Sequence, residues 1–289
     1  MLSVKKILNS FPLIVETVVF HPIVTLKIYL RSLYFFLDLM ADELRHLYYR
    51  YPQIRYKKVM NFKISKYIFN LPDLPSFLFQ WKEIMQDEIY RFKTDSSHPV
   101  IIDIGANVGT SLLFFSKNYP HAEILAYEAD PVIFGYLTEN IRKNHLENVK
   151  LFNSAVYTCE SEIIFNSEGA DGGRISPNGN GIKVSCVDIR SVLTSFQQID
   201  MLKIDIEGAE NKVIPAAAQH LKHIKNIFIE FHQKRNEEDC LPEILTVLRD
   251  AGFSYKIFNA GEQHDHAFTK KYAHDTFSMQ LEIFATNMN

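Results

Sequence analysis

Two groups of polar residues close apolar runs in this chain, where a hydrophobic core does not account for them. The first is Asp103-Ile104-Gly105-Ala106-Asn107-Val108-Gly109-Thr110, which follows Val100-Ile101-Ile102. The second is Lys203-Ile204-Asp205-Ile206-Glu207, echoed by Glu230-Phe231-His232. Glycines at 105 and 109 permit a sharp turn and a close backbone approach to a ligand. Carboxylates beside a lysine and a histidine suit proton removal, charge stabilisation or metal binding.

The order of the first group narrows its ligand. A Gly-x-Gly-x-x-Gly loop cradles a pyrophosphate on a helix N-terminus. Here the order is Asp-x-Gly-x-x-x-Gly, and an acid beside the turn would repel a pyrophosphate. It suits a ligand with an amino group and a sulfonium, as in S-adenosylmethionine. Tyr127-Glu128-Ala129-Asp130 closes the next apolar run, with Glu128 25 residues after Asp103. An acid there can accept both hydroxyls of an adenosine ribose, as in dinucleotide folds. Asn153-Ser154-Ala155 closes a third run, where adenine is expected. The expected cofactor contacts are therefore Asp103, Gly105, Asn107, Gly109, Thr110, Glu128, Ala129, Ser154 and Ala155. Plainer readings stand beside these: Asp103 as a turn cap, Asn107 as a turn residue, Glu128 as a solvated strand end.

For the second group, a strand period of two places Lys203, Asp205 and Glu207 on one side. Methyl transfer from a sulfonium needs an oriented acceptor and a route for its proton. His232 is the natural base near neutral pH, and Asp205 is the alternative. Glu207 and Glu230 complete the expected reaction centre. Three further readings stay open. Asp205, Glu230 and His232 could ligate a divalent cation that acidifies the acceptor hydroxyl. Lys203 reads as an ion-pair partner. Glu207 and Glu210 could simply favour the dipole of the helix they open. His264-Asp265-His266 and Asp171-Gly172-Gly173-Arg174 are lesser candidates for the acceptor pocket.

Elements must bring these groups together. From Val100 onward, short apolar runs alternate with helical stretches, the pattern of a parallel sheet with helices on its faces. Strands are expected at 100–104, 123–127, 149–156, 201–206, 227–231, 255–258 and 279–285. Helices are expected at 108–118, 131–145, 209–221 and 242–251. Residues 161–166 and 181–187 read as strands around the glycine-rich loop 169–181, a hairpin-like insertion. Before Val100, residues 60–69 suggest a short strand or hairpin, and Phe77 to Phe92 has helical spacing. The expected organisation is a mainly helical N-terminal extension and lead-in (1–97) followed by the ligand-binding α/β domain (98–289).

Bulk properties exclude some classes. The formal net charge of −3 supplies no general basic face for nucleic acid. No Asn-Pro-Pro-Tyr base-flipping motif is present. Three scattered cysteines make neither a disulfide framework nor a zinc cluster and favour a reducing, cytoplasmic setting. The apolar stretch Phe11 to Met40 is interrupted by Glu16, Lys27, Arg31 and Asp38, so no run reaches about 18 uncharged residues. Amphipathic helices packed on the domain or another subunit are expected there. Peripheral membrane contact is the sharper alternative.

Taken in order, Val-Ile-Ile-Asp-Ile-Gly-Ala-Asn-Val-Gly, Tyr-Glu-Ala-Asp-Pro, Leu-Lys-Ile-Asp-Ile-Glu-Gly-Ala-Glu and Ile-Glu-Phe-His resemble the FkbM-type methyltransferases. The third block is the most specific. The resemblance covers roughly residues 98 to 260, touches the lead-in, where Phe77 to Phe92 resembles the segment preceding the domain in relatives, and leaves residues 1 to 60 outside. It implies a Rossmann-like class I methyltransferase sheet, mostly parallel with an antiparallel last strand. It also implies S-adenosylmethionine as donor and a hydroxyl acceptor on a sugar, glycan precursor or related metabolite. Ala129 departs from the family, where proline is frequent. A nicotinamide-dependent oxidoreductase and a non-catalytic nucleoside-binding scaffold are the competing classes.

Overall fold

The structure, a computed structural model, describes residues 55–170, 172–176, 179–234, 238–260 and 277–288. The chain divides into two compact units, Met1–Gln53 and Ile54–Asn289. The first lies outside the described residues, as do Asp171 and His264-Asp265-His266. The division expected between residues 97 and 98 is thus not where packing divides the chain, because the lead-in from Ile54 belongs to the larger unit.

The centre of that unit is a seven-stranded sheet. Its strands are β3 (Val100–Ile104), β4 (Glu123–Tyr127), β5 (Val149–Phe152), β10 (Ile199–Ile204), β11 (Ile224–Lys234), β12 (Phe253–Asn259) and β13 (Phe277–Asn287). The order across the sheet is β12-β13-β11-β10-β3-β4-β5. β13 runs antiparallel to both its neighbours, β11 and β12, while β10, β11, β3, β4 and β5 pair in parallel. β10 is buried at every position, as a central strand covered on both faces must be.

Helices cover both faces. On one, α2 (Thr110–Asn118) and α3 (Pro131–Lys143) bury Leu112, Phe115, Leu137 and Ile141. On the other, α4 (Ile189–Thr194), α5 (Glu210–Ala217) and α6 (Leu241–Asp250) bury Val192, Val213, Ile244 and Leu248. Each such side chain contributes about 1.5–3 kcal/mol when fully buried. α3 starts where the sequence indicates. The Asp130 carboxylate accepts the amides of Val132 and Ile133, and Pro131 fills the first position, where a missing N–H costs nothing. β3 has β4 on one side and β10 on the other, so the chain reverses direction across the sheet there. Ligands bind at such switch points, beyond the carboxyl ends of the strands.

The expected third strand, 149–156, is broken. β5 ends at Phe152, and β6 (Ala155–Tyr157) joins a second sheet of order β6-β9-β7-β8. The side chain of Asn153 donates to the Glu128 carbonyl at 2.9 Å, which holds the chain in the break. β7 (Ser161–Asn166) and β9 (Ile182–Asp188) are the expected antiparallel strands of the insertion, with the short β8 (Arg174–Ile175) added at its edge.

The lead-in opens with an antiparallel hairpin, β1 (Val59–Ile64) and β2 (Tyr67–Leu71), as expected. Asp73 then caps α1 (Leu74–Gln80), and a π-helical stretch follows at Trp81–Gln86. The single helix expected through Phe92 stops short, and Glu88 turns into the left-handed region with φ 53°. Phe62, Phe69, Phe77 and Trp81 pack edge-on and tilted, with ring centroids 4.8–6.1 Å apart along the cluster. Asn140 of α3 fastens the hairpin to the sheet unit. It accepts the Asn70 amide at 2.6 Å and donates to the carbonyls of Asn70 and Val108, both at 3.0 Å.

Candidate active site

The loop after β3 is built around its glycines. The amides of Gly105 and Ala106 both donate to the Tyr127 carbonyl at 3.0 Å, which ties the loop to the end of β4. Gly105 has φ +87°, and a Cβ there would stand 1.9 Å from the Asp205 carbonyl oxygen. No other residue fits between β3 and β10 at that point. Asn107 also adopts positive φ, 48°, which asparagine tolerates better than most residues. This turn aims its amide at Glu128 Oε2, 2.9 Å away. Glu128 Oε1 accepts the Asp130 amide at 2.8 Å, so the carboxylate is fixed from both sides. Burial pushes its pKa up to about 7, against the lowering effect of those two amides.

A cavity of about 210 Å³ opens above this loop. Gly105, Asn107, Thr110 and Glu128 line it, joined by Ala129, Ser154 and Ala155 from the ends of β4 and β6. Seven of the nine expected cofactor residues therefore share one space. The other two do not reach it. Gly109 packs toward Leu137, where a Cβ would stand 2.9 Å from its methyl. Asp103, expected to face the ligand's amino group, is fully buried behind the loop. Its oxygens meet the Ser111 hydroxyl and, at 3.2 Å, the Lys203 ammonium. The cause is strand register: Asp103 pairs with Lys203 across β3 and β10.

Lys203 is the ion-pair partner the sequence suggested. It lies 3.4 Å from Asp205 and donates to the Gly105 carbonyl at 2.7 Å. Burial alone would lower its pKa, but the carboxylates of Asp103 and Asp205 raise it, so it stays charged.

Asp205, Glu207 and Glu230 line the other end of the same cavity. Burial and the Glu230 charge raise Asp205 to about 7, against Lys203 and His232. Burial likewise raises Glu207, again against His232. Burial opposes the charge of Glu230 as well, but His232, Gln280 and Lys203 prevail and hold it below the usual carboxylate range. Glu207 and Gly208 have positive φ, 55° and 99°, and this tight turn is fixed from below by Glu210. Glu210 is fully buried and accepts the amides of Ile206 and Gly208, each at 2.9 Å. Its role is to shape the loop that carries Asp205 and Glu207.

His232 is not on the cavity wall. It is buried behind the acids, 3.5 Å from Glu210, 3.6 Å from Glu230 and 3.8 Å from Glu207. Burial would lower its pKa, but Glu210, Glu230 and Glu207 raise it well above the usual histidine range. The acids around it favour its charged form, and it stands behind the wall rather than facing the space a substrate would fill. Asp205, Glu207 and His232 offer ligand atoms within 4.8 Å of one another. A metal there would require the neutral form of His232, which the neighbouring acids disfavour.

The sequence missed two groups. Gln280 of β13 pairs in register with His232 and donates to Glu230 at 2.6 Å. Its polar side chain within Phe277–Asn287 was the available signal. Glu83, Ile84 and Tyr90 of the lead-in also line the cavity, and no motif marks them.

The methyltransferase FkbM domain matches residues 103–255, more than half of the chain, and the chain belongs to that family. Among curated relatives, methyltransferase sdnD of Sordaria araneosa is 28% identical over 214 residues, covering 61% of this chain and 81% of that protein. The 2-O-methyltransferase NoeI of Sinorhizobium fredii is 25% identical over 166 residues, covering 50% of this chain and 68% of that protein. The crystal structure of methyltransferase FkbM from Methylobacillus flagellatus is 17% identical with a TM-score of 0.44, covering 71% of this chain and 47% of that one. The protein is a methyltransferase with a mostly parallel Rossmann-like sheet. No helix among the described residues is long and apolar enough to cross a membrane.

Proposed function

We propose that this methyltransferase takes its methyl group from S-adenosylmethionine and delivers it to a hydroxyl oxygen of a carbohydrate or related small metabolite. One observation carries the reading. A single cavity has a fixed carboxylate and a glycine turn at one end and a crowd of acids at the other. Glu128 is set to accept hydrogen bonds from a ribose. Gly105 and Asn107 bring backbone close to the donor, and Ser154 and Ala155 face its base. The sulfur then stands toward the ends of β10 and β11. The printed activity of NoeI, a 2-O-methyltransferase, supports oxygen as the acceptor atom.

S-adenosylmethionine supplies a methyl group on a positively charged sulfur. Asp205 borders the space where that methyl would point, and its pKa near 7 suits a base at neutral pH. The acceptor oxygen forms its bond to the methyl carbon as the carbon–sulfur bond breaks, and Asp205 takes the hydroxyl proton. Glu230 and Glu207 orient the acceptor. His232 keeps those acids in place through its charge and donates no proton itself. Lys203 limits how far Asp205 is raised.

The test is product analysis. Transfer from donor carrying a ¹³C-methyl group to simple glycosides should give a methoxy carbon resonance. Methyl carbon found on nitrogen or carbon would contradict the oxygen assignment.

A further inference from the structure

The cavity has a wall that the family domain does not supply. The match spans 103–255, yet Phe79, Glu83, Ile84 and Tyr90 line the same space. They arrive on α1, the π-helical stretch Trp81–Gln86 and the residues just after it. Such stretches recur at functional sites because the widened turn redirects side chains. Here Trp81 and Ile84 are buried, while Glu83 borders the cavity.

Glu83 differs from the other acids around it. Asp205 has Lys203, Glu207 has His232, and Glu230 has Gln280 and His232. Among the described residues, no hydrogen bond or ion pair engages the Glu83 carboxyl. Burial and the charges of Glu282 and Glu230 push its pKa up to about 8. A half-buried acid without a partner destabilises a fold, and such residues concentrate where a ligand supplies the missing contacts. Phe79 stands on the same wall with 57% of its surface exposed. An aromatic face beside a carboxylate matches a sugar ring, which presents C–H groups on one side and hydroxyls at its rim.

We propose that Glu83 anchors the acceptor: it accepts hydrogen bonds from hydroxyl or ammonium groups beside the reacting oxygen, and with its acidic neighbours it rejects phosphorylated or carboxylated acceptors. This assignment rests on the reading of the chain as a hydroxyl methyltransferase. The exclusion is electrostatic: an anion entering there meets the Glu230 carboxylate at any pH near neutrality, and the charges of Asp205, Glu207 and Glu83 add to it as pH rises toward 8 and above.

The experiment uses the full chain with S-adenosylmethionine and four acceptor sets: methyl glycosides, hexosamines, uronic acids and hexose 6-phosphates. Release of S-adenosylhomocysteine is the readout. Transfer should be confined to the first two sets. Glu83→Gln should raise KM by about tenfold with kcat changed far less, the signature of lost acceptor binding. Its affinity for S-adenosylhomocysteine should stay unchanged. Glu83→Lys should admit uronic acids. Melting adds a readout that needs no acceptor. The folded pKa of Glu83 lies above its usual 4.5, so its contribution to stability is lost as pH rises toward 8. Glu83→Gln should therefore raise Tm at pH 8 and leave it nearly unchanged at pH 5. An unchanged KM, a preference for anionic acceptors, or a lower Tm at pH 8 overturns the Glu83 assignment alone. Bound S-adenosylhomocysteine with no transfer to any neutral glycoside or hexosamine overturns the hydroxyl-acceptor reading and this assignment with it.

Discussion

The two ends of the cavity are built differently. At the donor end, one contiguous loop and one strand-end acid make the site, and the acid is held by two backbone amides. At the acceptor end, acids from β10, β11 and the lead-in crowd together, held by side chains from α5 and β13. Backbone amides cannot titrate and move little, so the donor end is rigid, and its one raised acid, Glu128, is held by them with a pKa of about 7. Side-chain partners can titrate and come from distant segments, so the acceptor end depends on pH and on tertiary packing. A donor common to many enzymes suits a local motif. An acceptor particular to one enzyme suits a wall assembled from separate segments.

Breaking the donor end at its tightest point should have the largest effect. Gly105→Ala puts a Cβ 1.9 Å from the Asp205 carbonyl and forces alanine to φ +87°. Binding of S-adenosylhomocysteine should weaken by more than about a hundredfold, as seen by calorimetry, with a lower Tm. Damage at the acceptor end should instead spare binding. Asp205→Asn should lower kcat by about 10²- to 10⁴-fold and leave S-adenosylhomocysteine affinity within about twofold. A matching loss of affinity would mean that Asp205 belongs to the donor end.

Glu128→Ala removes the ribose acceptor and strands two amides. It should raise the dissociation constant for S-adenosylhomocysteine by about tenfold or more, at a cost of about 1.5–3 kcal/mol for lost hydrogen bonds to a charged group. The smallest effect sharpens the contrast in charge. Asp205 and Glu207 are raised carboxyls that lose protons as pH climbs through neutrality. Their growing negative charge attracts the sulfonium of S-adenosylmethionine and not the neutral thioether of S-adenosylhomocysteine. The ratio of the two affinities should shift severalfold toward the sulfonium between pH 6 and pH 8.5. A flat ratio would place the sulfur away from the acids.

How much was legible in the sequence follows the same division. The glycine loop and Glu128 were readable because each is local, and the parallel sheet with its helices followed from alternating runs. Asp103 misled because adjacency in sequence hides the pleat, and the register with Lys203 turns it away from the ligand. His232 was found as a strand-end polar residue, but the shift toward its charged form depends on Glu210, which reaches it only through α5. The expected 149–156 strand broke at Asn153, whose side chain bonds a carbonyl of another strand end. Glu83 sat inside a segment with ordinary helical spacing, and only the π-helical stretch and the left-handed Glu88 give it its place.

The central claim is that the cavity above Gly105 and Glu128 is an S-adenosylmethionine site and not a dinucleotide site. Calorimetric titration of the full chain with S-adenosylhomocysteine and, separately, with NADH tests it most directly. The account predicts saturable binding of S-adenosylhomocysteine that weakens in Glu128→Ala, and no heat from NADH. Binding of NADH in the absence of any S-adenosylhomocysteine binding would contradict it.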